Sequence, residues 1–363
     1  MIEKFYRQEA TAMTRYYDTL PQAMRGYPTP SMPLDVSSKA AYERWAADAR
    51  AALLNLLGFD RMRLCPPDGQ RLECVQLDGY RREKWIVQTE PGIWASLYLL
   101  IPDGLQPGEK WPLVLCPHGH SGTKDATAGN ACVPVLEKTI TENRYDYGRQ
   151  VVRMGMIALC PDARGHGERR ERDMWSDDPE KRLNCSCHWL NHMAVPVGRC
   201  VTGMWVWDLM RLLDWALTLD AVDGSRVASI GLSGGGLQSL YFSALDSRVR
   251  FSVVSGYFYG FKEALLEMHN CACNYVPHLW EYFDVGEIGA LVAPRPMVIE
   301  TGDQDPLNGK SGLDNVLPYV EQVRSVYALY GNGDDFVHDI FHGPHRWNGE
   351  VSMQRLKAFM FGA

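Results

Sequence analysis

The chain has 363 residues, 46% of them hydrophobic and 22% charged, with no long polar low-complexity tract, which suits one large folded globular protein rather than a disordered or fibrous chain. Its formal charge of −7, with no clustered Lys/Arg stripe, leaves no electrostatic footprint for nucleic acid and disfavours anionic membranes, so small molecules or neutral glycans are the expected partners. No basic segment followed by an apolar one opens the chain and no run is long enough to span a bilayer, so a cytoplasmic location and no membrane partner are expected.

Residues 1–70 differ from the rest. A proline-rich stretch from Pro21 to Pro33 reads as an irregular strap, and the segment from Tyr42 to Leu57 reads as an amphipathic helix stopped by Gly58. This lead-in could pack on the body or mediate assembly into a homo-oligomer. From residue 71 to 363, strand patterns alternate with helical ones, which predicts an α/β architecture: one mostly parallel, doubly wound sheet with helices on both faces. Trp111-Pro-Leu-Val-Leu-Cys-Pro is a buried-strand pattern running into His118-Gly-His120-Ser-Gly. Met156-Ile-Ala-Leu-Cys is a second, ending in an Asp162-Ala-Arg164-Gly-His-Gly loop. Charges at a strand end are tolerated there because they pair, so Asp162 and Arg164 are expected to brace neighbouring loops rather than to react. An insertion over residues 172–200 follows, with Trp175, Trp189 and His192.

Trp205 to Leu217 carries apolar residues at helical spacing, and Asp220-Ala-Val-Asp-Gly-Ser supplies turn residues before the apolar run Val227-Ala-Ser-Ile. That run ends abruptly in Gly231-Leu-Ser233-Gly-Gly235, the pattern of a nucleophile elbow. A serine hydroxyl is a poor nucleophile until a base takes its proton, so it must stand clear on a tight strand-to-helix turn. Helix, turn, strand, elbow and a following helix from Leu237 give that context. The free backbone N–H groups at the start of that helix favour a developing negative charge, which makes the Gly234 N–H the first oxyanion donor. The second is expected from the loop after an early strand, at the backbone N–H of His120, while the side chains of His118 and His120 are read as packing or hydrogen bonding in a polar loop.

The segment from Tyr257 through Trp280 to Phe283 and the 172–200 insertion both follow strand ends on the catalytic side. Tyr257, Trp189 and Trp347 are the aromatic residues expected to bind substrate, although roofing an apolar core is an equal reading for such residues. Arg295-Pro-Met-Val-Ile-Glu-Thr is a further buried strand, running into Gly302-Asp303-Gln-Asp305-Pro. Near the C-terminus, His338, His342 and His345 are candidate bases.

From about residue 72 to the end the sequence resembles the α/β-hydrolase superfamily, nearest its dienelactone-hydrolase-like and acetyl-xylan-esterase-like branch. The likeness rests on the elbow, on Gly203-Met-Trp-Val-Trp-Asp-Leu-Met-Arg-Leu-Leu-Asp before it, on Cys271-Ala-Cys-Asn-Tyr-Val-Pro, and on Ala293-Pro-Arg-Pro. The resemblance implies that Asp305 is the triad acid, since many members place it in a Gly-x-x-Asp-Pro loop, with Asp303 the competitor. It implies that His345 is the base, in a Gly-x-His-x-Phe/Trp ending. The chain order Ser233, Asp305, His345 is the one this superfamily uses. Serine rather than cysteine at the nucleophile position points to a serine esterase, by resemblance one acting on short acyl esters such as O-acetylated sugars. The alternatives are a peptidase of the prolyl-oligopeptidase type, against which the lack of a propeller-length N-terminal domain counts, and a catalytically silent binding protein.

Ten cysteines are ordinary as small buried hydrophobes. Cys185-Ser-Cys187-His188 and His269-Asn-Cys271-Ala-Cys273 pair thiols with histidines, but zinc pairs usually show Cys-x-x-Cys spacing. Packing is therefore expected of them, with no metal and no cofactor.

Overall fold

The computed structural model describes residues 30–106 and 108–362. A nine-stranded sheet runs through it in the order β1-β2-β3-β5-β4-β6-β7-β8-β9. The strands are β1 (Gln70–Leu77), β2 (Tyr80–Glu90), β3 (Ile93–Pro102), β4 (Trp111–Leu115), β5 (Ile157–Pro161), β6 (Val222–Leu232), β7 (Phe251–Ser255), β8 (Met297–Gly302) and β9 (Phe336–Phe341). The first three form an antiparallel meander, and β3 lies antiparallel to β5. From β5 to β9 every neighbouring pair is parallel.

Composition explains the division. β1 and β2 are joined at Asp78-Gly79, where Gly79 takes φ +81°, a backbone conformation that glycine adopts without cost and that tight hairpins need. In contrast β5, β7 and β8 are buried along their whole length, as parallel strands covered on both faces must be. The expected mostly parallel α/β sheet is present, with the antiparallel meander added at one edge.

Two apolar layers sandwich the sheet. One contains the helices Val201–Ala216 and Gly234–Leu245, and the other contains the Tyr147–Arg153 and Ser352–Phe361 helices. The lead-in helix spans Lys39–Leu56, is capped by Ser38, whose hydroxyl accepts from the Ala41 N–H, and docks on the first layer through Tyr42, Trp45, Ala46, Ala49 and Leu53. Two polar contacts fix its seat. The Tyr42 hydroxyl donates to the Ala290 carbonyl at 2.7 Å, and the Arg50 guanidinium donates to the carbonyls of Ala244 and Leu291, at the C-terminal ends of two body helices where cations are favoured. Of the strap read from Pro21 to Pro33, residues 21–29 lie outside the described residues. The insertion over 172–200 consists of short 3₁₀ turns and a helix, Cys187–Ala194. No described helix is long and apolar enough to cross a membrane.

Candidate active site

β6 runs straight into Ser233, which takes φ 61° and ψ −124°, a conformation that non-glycine residues adopt only under constraint. The constraint is visible in the backbone. The Ser233 N–H donates to the Ser255 carbonyl at 2.8 Å, and a Cβ on Gly231 would lie 2.4 Å from the Gly235 carbonyl carbon. A Cβ on Gly235 would lie 2.2 Å from the Pro117 carbonyl oxygen, so the glycines of the motif are required by chain crossings as well as by the turn. The helix Gly234–Leu245 begins at the next residue and directs its N-terminus at the serine.

Two loops that follow adjacent strands bring an acid and a base together. Asp305, in the loop after β8, is buried; its Oδ1 accepts from the Leu307 N–H at 2.9 Å, and its Oδ2 accepts from His345 Nδ1 at 2.6 Å. With Nδ1 engaged as donor, the His345 Nε2 carries the free lone pair. The imidazole lies over the turn after β7: a Cβ on Gly256 would come within 2.8 Å of His345 Cε1 and 3.2 Å of Leu232 Cδ1, which places the ring beside the elbow. Asp303 and His342 form a second, surface pair at 3.0 Å, with the His342 side chain 81% exposed. That pair also holds the Gly343 N–H and so splints the loop. His338 faces inward from β9 onto Thr301, and burial pushes its imidazole down to about 4. Of the three candidate histidines, only His345 meets a buried carboxylate.

The loop after β4 packs against the elbow from the other side. A Cβ on Gly119 would sit 2.8 Å from both the Gly234 nitrogen and Ser233 Cβ, and one on Gly234 would sit 3.1 Å from His120 Nδ1. Tyr145 accepts from the Gly119 N–H at 2.7 Å and so anchors this loop. His118 is buried, and desolvation lowers its imidazole from the ordinary histidine range; its Nε2 accepts from the Ala163 N–H and its Nδ1 then donates to the Gly119 carbonyl, a bracing role. His120 differs, because its Nε2 lies 3.1 Å from Cys273 Sγ.

Asp162 and Arg164 are both paired, though not with each other. Burial raises the Asp162 carboxyl, but the Lys124 ammonium at 2.9 Å overcomes it and holds the group below the ordinary carboxylate range. Arg164 lies between Glu90 and Asp208, at 2.9 and 2.7 Å.

The structure corrects two of the three aromatic assignments, Trp347 and Tyr257, and places the third, Trp189, on the surface. Trp347 is fully buried, its ring 4.8 Å from that of Tyr147 in the apolar layer beneath the loop, and so cannot reach a substrate. Tyr257 is also buried, against the start of the Gly234–Leu245 helix. Trp189 is 57% exposed because the helix Cys187–Ala194 turns Cys187, Asn191 and Ala194 inward, a spacing that leaves position 189 outside. The two segments expected to build the pocket do meet. They line an open pocket of about 560 Å³, bounded by Asn191 and Val195 from the insertion and by Phe261, Leu265, Asn274 and Trp280 from the other segment; Ser233, Asp305 and His345 are not among its lining residues.

Two functional groups escaped the sequence reading. Glu300 interrupts the apolar strand β8 and accepts from the Asn348 and Gly349 N–H groups and the Ser352 hydroxyl, which ties the chain just past His345 to the sheet. A charged residue at a core position of a buried strand was the available signal. The second is the cysteine set. Among the described residues, His120, Cys187, Cys271 and Cys273 present ligand atoms all within 4.8 Å of one another, and His166, Cys185 and Cys187 do the same. Spacing along the chain had argued for packing alone; it considered each pair separately, whereas the fold joins them.

These features define an α/β-hydrolase, and the comparisons agree. The chain belongs to the abhydrolase family, whose model matches residues 23–317. It is 27% identical over 297 residues to the hydrolase YtaP of Bacillus subtilis (strain 168), covering 79% of this chain and 90% of that one. Its fold is similar to that of a Bacteroides fragilis NCTC 9343 protein described as an acetyl xylan esterase, with TM-score 0.76 and 21% identity over 94% of this chain and 84% of that one. A glucuronoyl esterase from Solibacter usitatus superposes with TM-score 0.64 and 15% identity, over 92% and 97% of the two chains.

Proposed function

We propose that the protein is a serine carboxylic-ester hydrolase that works through an acyl-enzyme, with Ser233 as nucleophile, His345 as base and Asp305 as the acid that orients it. The observation that carries this reading is the 2.6 Å bond between His345 Nδ1 and the buried Asp305 carboxylate, beside a serine held in a strained elbow. In the forward step His345 Nε2 takes the Ser233 proton as Oγ attacks the ester carbonyl. Asp305 stabilises the imidazolium that results. The Gly234 and His120 N–H groups receive the oxyanion, and the imidazolium returns its proton to the departing alkoxide. Water activated by the same imidazole then releases the acid.

The substrate class we favour is a short acyl ester of a neutral sugar. The net charge of −7 favours an uncharged substrate, and structural relatives described as acetyl xylan esterases share the fold. Replacing Ser233 with alanine opens no core cavity, so the Ser233→Ala protein is expected to melt like the parent while p-nitrophenyl acetate hydrolysis falls by about 10⁴-fold or more. A fluorophosphonate should label the parent at Ser233 and leave the variant unlabelled by peptide mass spectrometry. Parental turnover in the variant refutes the assignment.

A further inference from the structure

Three segments far apart in the chain deliver their sulfur and imidazole groups to one point on the catalytic face. His120 comes from the loop after β4, Cys185 and Cys187 from the insertion, and Cys271 and Cys273 from the segment between β7 and β8. Cys187 and Cys273 are buried, and Cys271 and His120 half-buried. All ten cysteines are free thiols. We propose that Cys187, Cys271, Cys273 and His120 form a tetrahedral site for a thiophilic divalent cation, zinc by preference.

Geometry and chemistry both support this. Zinc–sulfur bonds of about 2.3 Å set neighbouring ligand atoms of a tetrahedron roughly 3.8 Å apart, and the four atoms here lie within 4.8 Å of one another. Three thiolates and one imidazole are a donor set that selects zinc over magnesium or calcium, which prefer oxygen. The surroundings serve the sulfurs as well. Asn274 Nδ2 donates towards Cys273 Sγ at 3.6 Å, and His166 Nε2 stands 3.2 Å from Cys187 Sγ. The buried Nδ1 of His166 has no hydrogen-bond partner, so that ring is held for the sulfur on its other side. Hydrophobic packing explains neither this convergence nor the two imidazoles. A disulfide within either Cys-x-Cys pair would need a very small ring, although one across the segments is a real competitor.

The site also reaches the proposed chemistry. His120 binds through Nε2, which leaves the proton on Nδ1, and Nδ1 faces the elbow at Gly234. A metal would therefore tie the loop that bears the proposed second oxyanion donor to the two segments that line the open pocket. This positioning role rests on the esterase reading; the metal site itself does not.

The test starts from the full chain, purified anaerobically with neither chelator nor added reductant. Elemental analysis should find about one zinc per chain in both the parent and Ser233→Ala. Exchange into cobalt(II) should give thiolate-to-cobalt charge-transfer bands and intense tetrahedral visible bands. Cys271→Ser and Cys273→Ser should lose both signals, and Cys74→Ser, at an exposed position, should keep them. Because a ligand variant could misfold, thiol titration of the native parent before and after strong chelation gives a second readout: three thiols should become reactive on metal removal. Ester turnover should then fall by roughly 10- to 100-fold, the usual effect of disturbing a metal's outer supports. No bound metal, or thiols released by reductant rather than chelator, overturns the site in favour of empty thiols or a disulfide. Bound metal whose removal leaves turnover unchanged overturns the positioning role alone, and the Ser233→Ala result separates that from failure of the esterase reading.

Discussion

At the scale of single residues, the site is a competition between two Asp–His pairs two and three positions apart. Chain position cannot separate Asp303 from Asp305 or His342 from His345; burial does. Asp305 is shielded while His342 is open to water, so only the Asp305–His345 pair keeps the electrostatic strength needed to hold an imidazolium. Asp305→Asn should lower kcat by about 10³- to 10⁴-fold, by analogy with loss of the tautomer-fixing acid in serine proteases, whereas Asp303→Asn should stay within about tenfold of the parent. Steady-state kinetics on one ester decides it, and equal or reversed losses sink the assignment. The elbow around Ser233 was legible in the sequence because glycine requirements are local. The proposed acid and base, Asp305 and His345, needed a family resemblance, and Trp347 and Tyr257 failed as substrate contacts because burial is a tertiary property that no local pattern reports.

At the scale of elements, the strands and helices that flank the elbow were readable from apolar periodicity, but β6 begins at Val222, so Asp223-Gly-Ser, read as a turn from its residue types, is strand. The meander was not read, because β1 is mostly exposed and its neighbours carry charges such as Arg81, Arg82, Glu83 and Lys84, which dilute the strand pattern. Glu300 was overlooked for the opposite reason, being one charge in an otherwise apolar strand. Burial raises its carboxyl, and its bonds to Ser352 and to the backbone N–H groups of Gly349 and Asn348 pull it back. Glu300→Ala would strand those donors, at a cost of roughly 3 kcal/mol. Because the same segment leads from His345, kcat should fall more than KM rises. Chemical denaturation with kinetics checks both, and a stable variant with parental kcat would show that the segment holds itself.

At the scale of the molecule, stability should depend on pH through buried groups away from the site. The His338 imidazole sits at about 4 in the folded state against 6.5 for the free side chain, chiefly through burial. The unfolded chain therefore binds the proton first as pH falls, so stability present above about pH 6.5 is lost towards pH 4, by at most roughly 3 kcal/mol. Glu287 runs the other way. Burial raises it to about 7 from 4.5, so its contribution is lost as pH rises through that window, and the two partly cancel in the parent. The difference in unfolding free energy between His338→Gln and the parent isolates the first term. It should move in the variant's favour between pH 6.5 and 4, and a flat difference would place His338 in water. The alternation of strands and helices made the sheet itself legible at this scale, while the meeting of distant cysteines was hidden because it depends on three loops folding over one another.

β9 is the last strand of the sheet and is held on one side only, by β8, while Ser233 follows the interior strand β6. Edge strands open locally more often than interior ones, at a fraction of the free energy of global unfolding. Since His345 hangs from the loop just past β9, each such opening would remove the proposed base and leave the proposed nucleophile, Ser233, in place. The enzyme would thus have two thermal limits. Amides of residues 336–341 should exchange with deuterium faster than those of β6, and reversible loss of turnover should begin several degrees below the loss of near-ultraviolet dichroism. Coincident curves would mean that β9 opens only with the whole sheet.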